Sequence, residues 1–299
     1  MKDIAILVEG KYVDPDQRDW YINQVLREDE VLMKQLSKQG LSSEKLDWSA
    51  SHDLSKYKAV IFSSIWDYFH RFDEFCQFLQ SSHGQTTFIN SISTIEWNMD
   101  KHYLADLEKK GVPTIPTIFI EKGDSRSLKE IIEDSGWSKT VLKPCISGAA
   151  RHTYKIDHNN IEEVNLIFKQ LIKDESMMLQ PYMEQITTKG EVSHIVISGE
   201  YAHSVLKKAK PGDYRVQDDF GGSVHDYQAN KAEVAFAEKA VKACKDLPLY
   251  ARVDAVWDNN DQLALGELEL IEPELWFRDH PESAKMLAAA IYKMIKLEA

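Results

Sequence analysis

Long apolar runs are missing from this chain of 299 residues: the longest, 286–292, falls far short of the roughly 20 residues a membrane helix needs. A bilayer span is not expected. A basic excess is missing too, with 36 Lys and Arg against 48 Asp and Glu and a net charge of -12. Attraction to nucleic-acid phosphates would have to come from a local patch, so nucleic acid is not an expected partner. Cysteine is sparse: Cys76, Cys145 and Cys244 stand far apart with no paired motif, as free thiols in a reducing compartment do. Lys2 and Asp3 run straight into an apolar stretch at 4–8 that is too short for a signal-peptide core, and the chain reads as cytoplasmic. No GxGxxG, HExxH or GxSxG occurs, and Gly10-Lys11 lacks the glycine of a phosphate loop because position 5 is Ala. Dinucleotide-binding Rossmann, P-loop, zincin and common serine-hydrolase chemistries therefore lose their support.

The remaining composition, 43% hydrophobic and 28% charged, is that of a globular protein with room for two or three domains. Residues 1–92 predict an alternating α/β domain, with strands at 4–8 and 59–62 and helices at 19–39 and 72–80. Residues 93–180 predict a small α+β lobe: a helix over 102–110 stopped by Gly111 and Pro113, strands at 117–120, 140–143, 152–156 and 177–180, and a helix over 161–173. Residues 181–299 predict a larger lobe, with a hairpin at 191–197 and 201–206, a helix over 230–245, a second hairpin at 251–257 and 263–271, and a closing helix over 281–297.

The second hairpin concentrates charge. Alternation places Arg252 and Asp254 on one face of its first strand and Glu267 and Glu269 on one face of its second. A turn centred near Asn259 and Asn260 sets Asp254 opposite Leu265 and Arg252 opposite Glu267, so three carboxylates and a guanidinium share one side. Hard divalent cations take such oxygen ligands. On periodicity alone the commoner reading is an amphipathic hairpin with a solvated Glu face and an Arg252–Glu267 cross-strand pair. Lys101 falls in the first turn of a helix that Asn98 or Asp100 would cap, where the helix dipole disfavours a cation unless an anion is near. Lys143 ends an apolar strand and leads into the small-residue loop 147–152, where backbone N–H groups with Arg151 and His152 offer positive potential. Taken singly, each of these features is better explained by a snorkelling surface lysine or an ordinary turn.

Taken in order, these pieces resemble the ATP-grasp superfamily over essentially the whole chain. The resemblance implies an N-terminal Rossmann-like pre-ATP-grasp domain followed by two lobes that clamp a nucleotide. It implies ATP and Mg2+ (or Mn2+) as cofactors. Lys101, Lys143, Ser147 and Gly148 then take the place of phosphate-binding residues. Gln180, Pro181, Tyr182, Met183 and Glu184 resemble the hinge that receives adenine, and Glu191 the glutamate that binds ribose. Asp254, Glu267 and Glu269 are the implied metal ligands, with Glu269 where the family usually has Asn. Residues 211–217, with Arg215 and the following Gly221 and Gly222, resemble the substrate loop of bacterial glutathione synthetases. The catalytic residues so implied are Arg252, Lys143 and Arg215.

Trp66, Asp67 and Tyr68, together with the segment 267–273, are similar to a narrower branch, the cyclo-ligases of cycloserine biosynthesis. Members of that branch commonly carry Arg where this chain has Ser63, and the phosphate loop here has Ala149 and Ala150 in place of glycines. The resemblance therefore carries the nucleotide site and not the cycloserine chemistry. Trp66, Asp67, Tyr68, Arg151, Arg215, Gly221, Gly222 and Glu272 form the implied substrate set; Trp66, Asp67 and Tyr68 read equally as packing aromatics and a helix cap, and are placed in it because ligands of α/β sheets bind beyond the carboxyl ends of strands. Strand phase sets Glu272 opposite Glu267 and Glu269 unless Pro273 bends the chain. The expectation is an ADP-forming ligase acting through an acyl phosphate on small carboxylate and amine substrates. A nucleotide-responsive module without turnover and a small-molecule kinase are the alternatives, and a homodimer is the default assembly.

Overall fold

The computed structural model describes residues 2–213, 215–216 and 221–298. Tyr214 and Gln217 of the expected substrate loop lie outside the described residues. The N-terminal part runs β1 (Ile4–Val8), α1 (Trp20–Lys38), β2 (Ser43–Asp47), β3 (Ala59–Phe62), α2 (Phe72–Ser82), β4 (Thr87–Ile89) and α3 (Ile92–Asn98). Its sheet is parallel in the order β2-β1-β3-β4. Every residue of β1 and β3 is buried, as in a sheet covered on both faces. Asp19 starts α1 by accepting the Ile22 N–H at 2.8 Å, so the cap and not the apolar pattern sets that end.

The middle part runs α4 (Tyr103–Lys109), β5 (Ile118–Ile120), α5 (Leu128–Ser135), β6 (Thr140–Pro144), β7 (Tyr154–Ile156), α6 (Ile161–Leu171) and β8 (Met177–Pro181). Its antiparallel sheet has the order β5-β8-β6-β7 and packs on α5 and α6 through Leu128, Ile131, Leu142, Val164 and Phe168. Helix α4 lies elsewhere: Tyr103, Leu104 and Leu107 join the core of the C-terminal sheet.

The C-terminal part runs β9 (Glu191–Ile197), β10 (Glu200–Lys208), β11 (Ser223–Tyr227), α7 (Lys231–Lys242), β12 (Tyr250–Trp257), β13 (Leu263–Glu269) and α8 (Pro281–Glu298). Its antiparallel order is β11-β10-β9-β12-β13. One face, with Val196, Ala251, Val253 and Leu268, is covered by α4 and α7. The other face joins α8, α1 and β1 in one continuous core through Ile195, Val205, Tyr250 and Leu287, so the N-terminal sheet and this lobe are packed as neighbours.

The end of β13 is stapled from outside its own lobe. Asn98 donates to Leu268 O at 2.8 Å and accepts from Leu270 N at 2.9 Å. Asn90 donates to Tyr250 O and Leu270 O at 2.9 Å, and the Tyr103 hydroxyl accepts from Leu268 N. These side chains satisfy the end of the sheet's outermost strand, whose other end is bridged by Thr114 at Leu265. Asn98 thus caps no helix. It ends α3, and α4 begins two residues beyond Lys101 with His102 at its N-cap.

The hairpin register corrects the expectation. Asp254 pairs with Glu267 and Arg252 with Glu269, whereas Ala255 pairs with Leu265. Gly266 is therefore an extra residue, a β-bulge on β13. A regular ladder continued from the Ala255–Leu265 pair would set Asp254 opposite Gly266 and turn both glutamates to the other face. The bulge is what brings four charged side chains to one side.

Candidate active site

A cleft lies where the three sheets meet, with a cavity of about 330 Å³. Strand β6 alternates: Leu142 points into the small-lobe core, while Val141 and Lys143 line the cleft. From the C-terminal sheet come Glu191, Lys207, Arg252, Asp254, Glu267 and Glu269, all on one face by the β9–β10, β9–β12 and β12–β13 registers. Farther along that face the polarity changes, and Val256 and Ala264 form an apolar slot with Ile115 and Met183. The cleft thus has a charged end and an apolar end on one sheet.

At the charged end most groups are paired. Arg252 holds Asp254 by Nε–Oδ1 at 3.0 Å and Nη2–Oδ2 at 2.9 Å, and also bonds Glu269. Asp254, 3% exposed, accepts further from Ser193 and lies 3.3 Å from Lys207, which is bonded to Glu191. Lys101, 6% exposed, donates to Ser147 O at 2.5 Å and pairs with Glu267 at 3.1 Å. Burial works against the Asp254 carboxylate, but Arg252 and Lys207 outweigh it and hold its proton affinity well below the usual range. Burial pushes Glu269 up to about 7, with Arg252 opposing.

Two charged groups of the cleft, Lys143 and Glu272, make no side-chain ion pair among the described residues. Lys143 is depressed by burial and by Lys101, with Glu267 opposing. Glu272 is pushed well up by burial and then by Glu269. It lines the same cavity as Glu267 and Glu269, because β13 ends at Glu269 and the chain beyond it turns.

The structure also brings Trp66, Ser147, Gly148, Gln180, Tyr182, Met183 and Arg215 to the cleft. Arg215 is 2.8 Å from Asp213, and Gln180 donates to Thr117 Oγ1 at 2.9 Å. Others it places away from the lining. Asp67 accepts the Trp48 indole N–H at 2.7 Å and pairs with Arg71. Tyr68 is buried beneath the acidic cluster, whose charges Glu272, Glu269 and Glu267 add to burial in raising its hydroxyl. Arg151 is bound by Glu175 and by Ile146 O at 2.9 Å, so its charge is neutralised behind the loop. Glu184 pairs with Lys139 at 2.7 Å on the surface. Pro181, Gly221 and Gly222 are not among the lining residues either. His152 turns outward to the Tyr154 hydroxyl at 3.1 Å.

Several lining residues escaped the sequence reading. Lys207 follows the alternation of β10 and was legible had that strand been carried one residue farther. Phe69, Tyr21 and Trp276 also line the cleft, and Trp276 lies 5.5 Å from the Arg252 guanidinium, ring to cation. Trp276 sits in an irregular segment that has no periodic signal.

The donor set tests well for a hard divalent cation, since Asp254, Glu267 and Glu269 offer only oxygens and face one cavity. Their oxygens do not all lie within 4.8 Å of one another among the described residues. Arg252, Lys101 and Lys207 hold them instead, and a cation would compete with those pairs.

Residues 4–90 match the family described as D-cycloserine synthetase DcsG, N-terminal domain. The chain is 28% identical over 269 residues to the cycloserine biosynthesis protein DcsG of Streptomyces lavendulae, covering 86% of this chain and 90% of that one. A crystal structure of D-cycloserine synthetase DcsG superposes with a TM-score of 0.85 at 24% identity, covering 98% and 99% of the two chains. The ATP-grasp ligase PsnB, solved with a minimal precursor, Mg and ADP, superposes with a TM-score of 0.62 at 14% identity over 98% of each chain. No helix among the described residues is long and apolar enough to cross a membrane. The chain has the ATP-grasp fold, and over most of its length it is similar to D-cycloserine synthetase DcsG.

Proposed function

We propose that this protein is an ATP-dependent, ADP-forming ligase that activates a small amino-acid-like carboxylate as an acyl phosphate. The observation that carries the reading is the polarity of this cleft, in which an apolar slot leads to facing cations and carboxylates and then to Glu272. We take residues 1–92, 93–180 and 181–299 as the working units, with α4 packed on the last.

In this reading adenine lies in the slot of Ile115, Met183 and Val256, against the backbone of Gln180 and Tyr182, with Glu191 toward ribose. The phosphates face Lys101, Lys143 and the loop that starts at Ser147 and Gly148. Asp254, Glu267 and Glu269 are the residues that would hold Mg2+ (or Mn2+), which when bound neutralises and aligns the phosphates. The substrate carboxylate oxygen forms a bond to the γ-phosphorus as the bridging bond to ADP breaks, and ADP leaves with that electron pair. Lys143 and Arg252 offset charge on the transferring group, so positioning and electrostatics carry the step. An amine, in a second molecule or in the same one, then attacks the acyl carbon and phosphate departs. Glu272 and the Trp66 ring suit an ammonium group on the substrate, and Arg215 suits a second anionic group.

The test is Mg-dependent ADP release from ATP with pooled amino-bearing carboxylic acids. The reading expects a stimulated rate that falls by at least ~100-fold in Lys143→Ala and in Asp254→Asn, a loss of ~2.7 kcal/mol. Asparagine is chosen over alanine because an empty position would leave Arg252 and Lys207 buried without partners. Absence of ATP binding by the intact protein would overturn the reading.

A further inference from the structure

We infer that Phe69 is a positioning residue: it is the seat on which the loop 147–153 closes, and it links the substrate end of the cleft to the shielding of the phosphates. The link to turnover rests on the ligase reading above, whereas the seat itself does not.

The contact is direct. A Cβ added to Gly148 would lie 2.5 Å from Phe69 Cε1 and 2.8 Å from Cδ1, so only a glycine backbone can rest on this ring. The ring has little room to retreat. Phe69 is 7% exposed and packs edge-on against Tyr68 at 5.6 Å and tilted on His70 at 4.5 Å. The loop side is tensioned: Ala149 and Ala150 hold positive φ of 48° and 55°, and His152 of 50°. L-residues adopt that region only where the surroundings fix them. Arg151, bonded to Glu175 and Ile146 O, anchors the loop from behind, and Ser147 donates to Arg151 O at 3.0 Å. Phe69 holds it from the front.

Phe69 belongs to a short turn, Tyr68–His70, on the N-terminal domain. The chain enters that turn from Trp66, whose indole N–H donates to Glu272 O at 3.1 Å. One short segment therefore touches Glu272 at one end of the cleft and the loop at the other. A ligand that fixes Trp66 and Glu272 also fixes the seat, and a seated loop keeps water from the transferring phosphoryl group.

The experiment uses Phe69→Ala, Phe69→Leu, Gly148→Ala and the double variant Phe69→Ala/Gly148→Ala in the full chain. Trypsin cleavage after Arg151, with Mg and AMP-PNP present, reads the seat without requiring catalysis. Cleavage is expected to quicken about tenfold in Phe69→Ala and to stay near wild type in Phe69→Leu. The ratio of ADP released to substrate consumed reads the coupling, and is expected to rise at least ~3-fold in Phe69→Ala with the KM for ATP nearly unchanged. Gly148→Ala should cost activity in the parent, and about tenfold less in the Phe69→Ala background because the ring it strikes is gone. Unchanged cleavage, or a Gly148→Ala loss equal in both backgrounds, overturns the inference. If the wild type consumes no ATP, the ligase reading fails and the cleavage rates still decide the seat.

Discussion

Lys143 and Glu272 line a cleft whose other charges are mostly paired. Lys143 stands on β6 near Glu267, and the proposed reading gives it a phosphate as partner. Glu272, whose backbone carbonyl accepts the Trp66 indole N–H, is given a substrate cation in the same reading. Exchange of Glu272 for Gln is expected to lower kcat/KM for an ammonium-bearing substrate by about 10- to 100-fold while leaving Mg-ATP affinity within about twofold. Parallel kinetics and nucleotide titrations check this, and an equal loss in both would move Glu272 to the nucleotide. Most of the charged residues at this site were legible as types, because a buried Lys or Asp on an apolar strand needs a reason. Arg151 was not: its partner Glu175 lies 24 positions away on another element, and no local pattern reveals that pairing. Asp67 was read toward substrate for the same reason, since its partner Trp48 is 19 positions back.

At the scale of elements, the bulge at Gly266 decides which face the glutamates take. Deleting Gly266 should restore a regular ladder that runs from Ala255–Leu265 straight to Asp254–Glu267 and keeps both glutamates on the face of Asp254. The expected result is a folded protein whose nucleotide affinity still responds to Mg; calorimetric titration with and without Mg checks it, and a lost Mg response would contradict the register. Alternation alone predicted the shared face correctly but not the pairing, since one inserted residue is invisible to a period-2 pattern. Strands β1 and β3 were legible as apolar runs, whereas β2, half-buried throughout as Ser-Glu-Lys-Leu-Asp, gave no such signal.

Helix α1 adds a pH-dependent tie under the site. Glu28 accepts Leu275 N at 3.0 Å and Arg278 N at 3.3 Å, holding the segment that carries Trp276. Burial, and then Glu274, push its carboxyl from 4.5 up to about 7. Between those values the unfolded chain releases a proton that the folded chain keeps, so this group's contribution to native stability declines as pH rises through the window. Glu28→Gln removes that dependence. Its Tm measured against wild type should climb steadily from pH 4.5 to 7, and a constant offset would contradict the assignment.

The whole molecule brings three sheets to one cleft, and the order of parts along the chain made that arrangement recognisable before any contact was known. The packing of α4 with the C-terminal lobe and the stapling of β13 by Asn90, Asn98 and Tyr103 were not readable, because they join residues more than 150 positions apart. The central claim is that this cleft makes an acyl phosphate, and hydroxylamine capture tests it most directly. With ATP, Mg and the stimulating carboxylic acid present, hydroxylamine should yield one hydroxamate for each ADP formed, and Lys143→Ala should yield neither. ADP formation with no hydroxamate, and with a phosphorylated product that survives hydroxylamine, would contradict the ligase account and leave a kinase in its place.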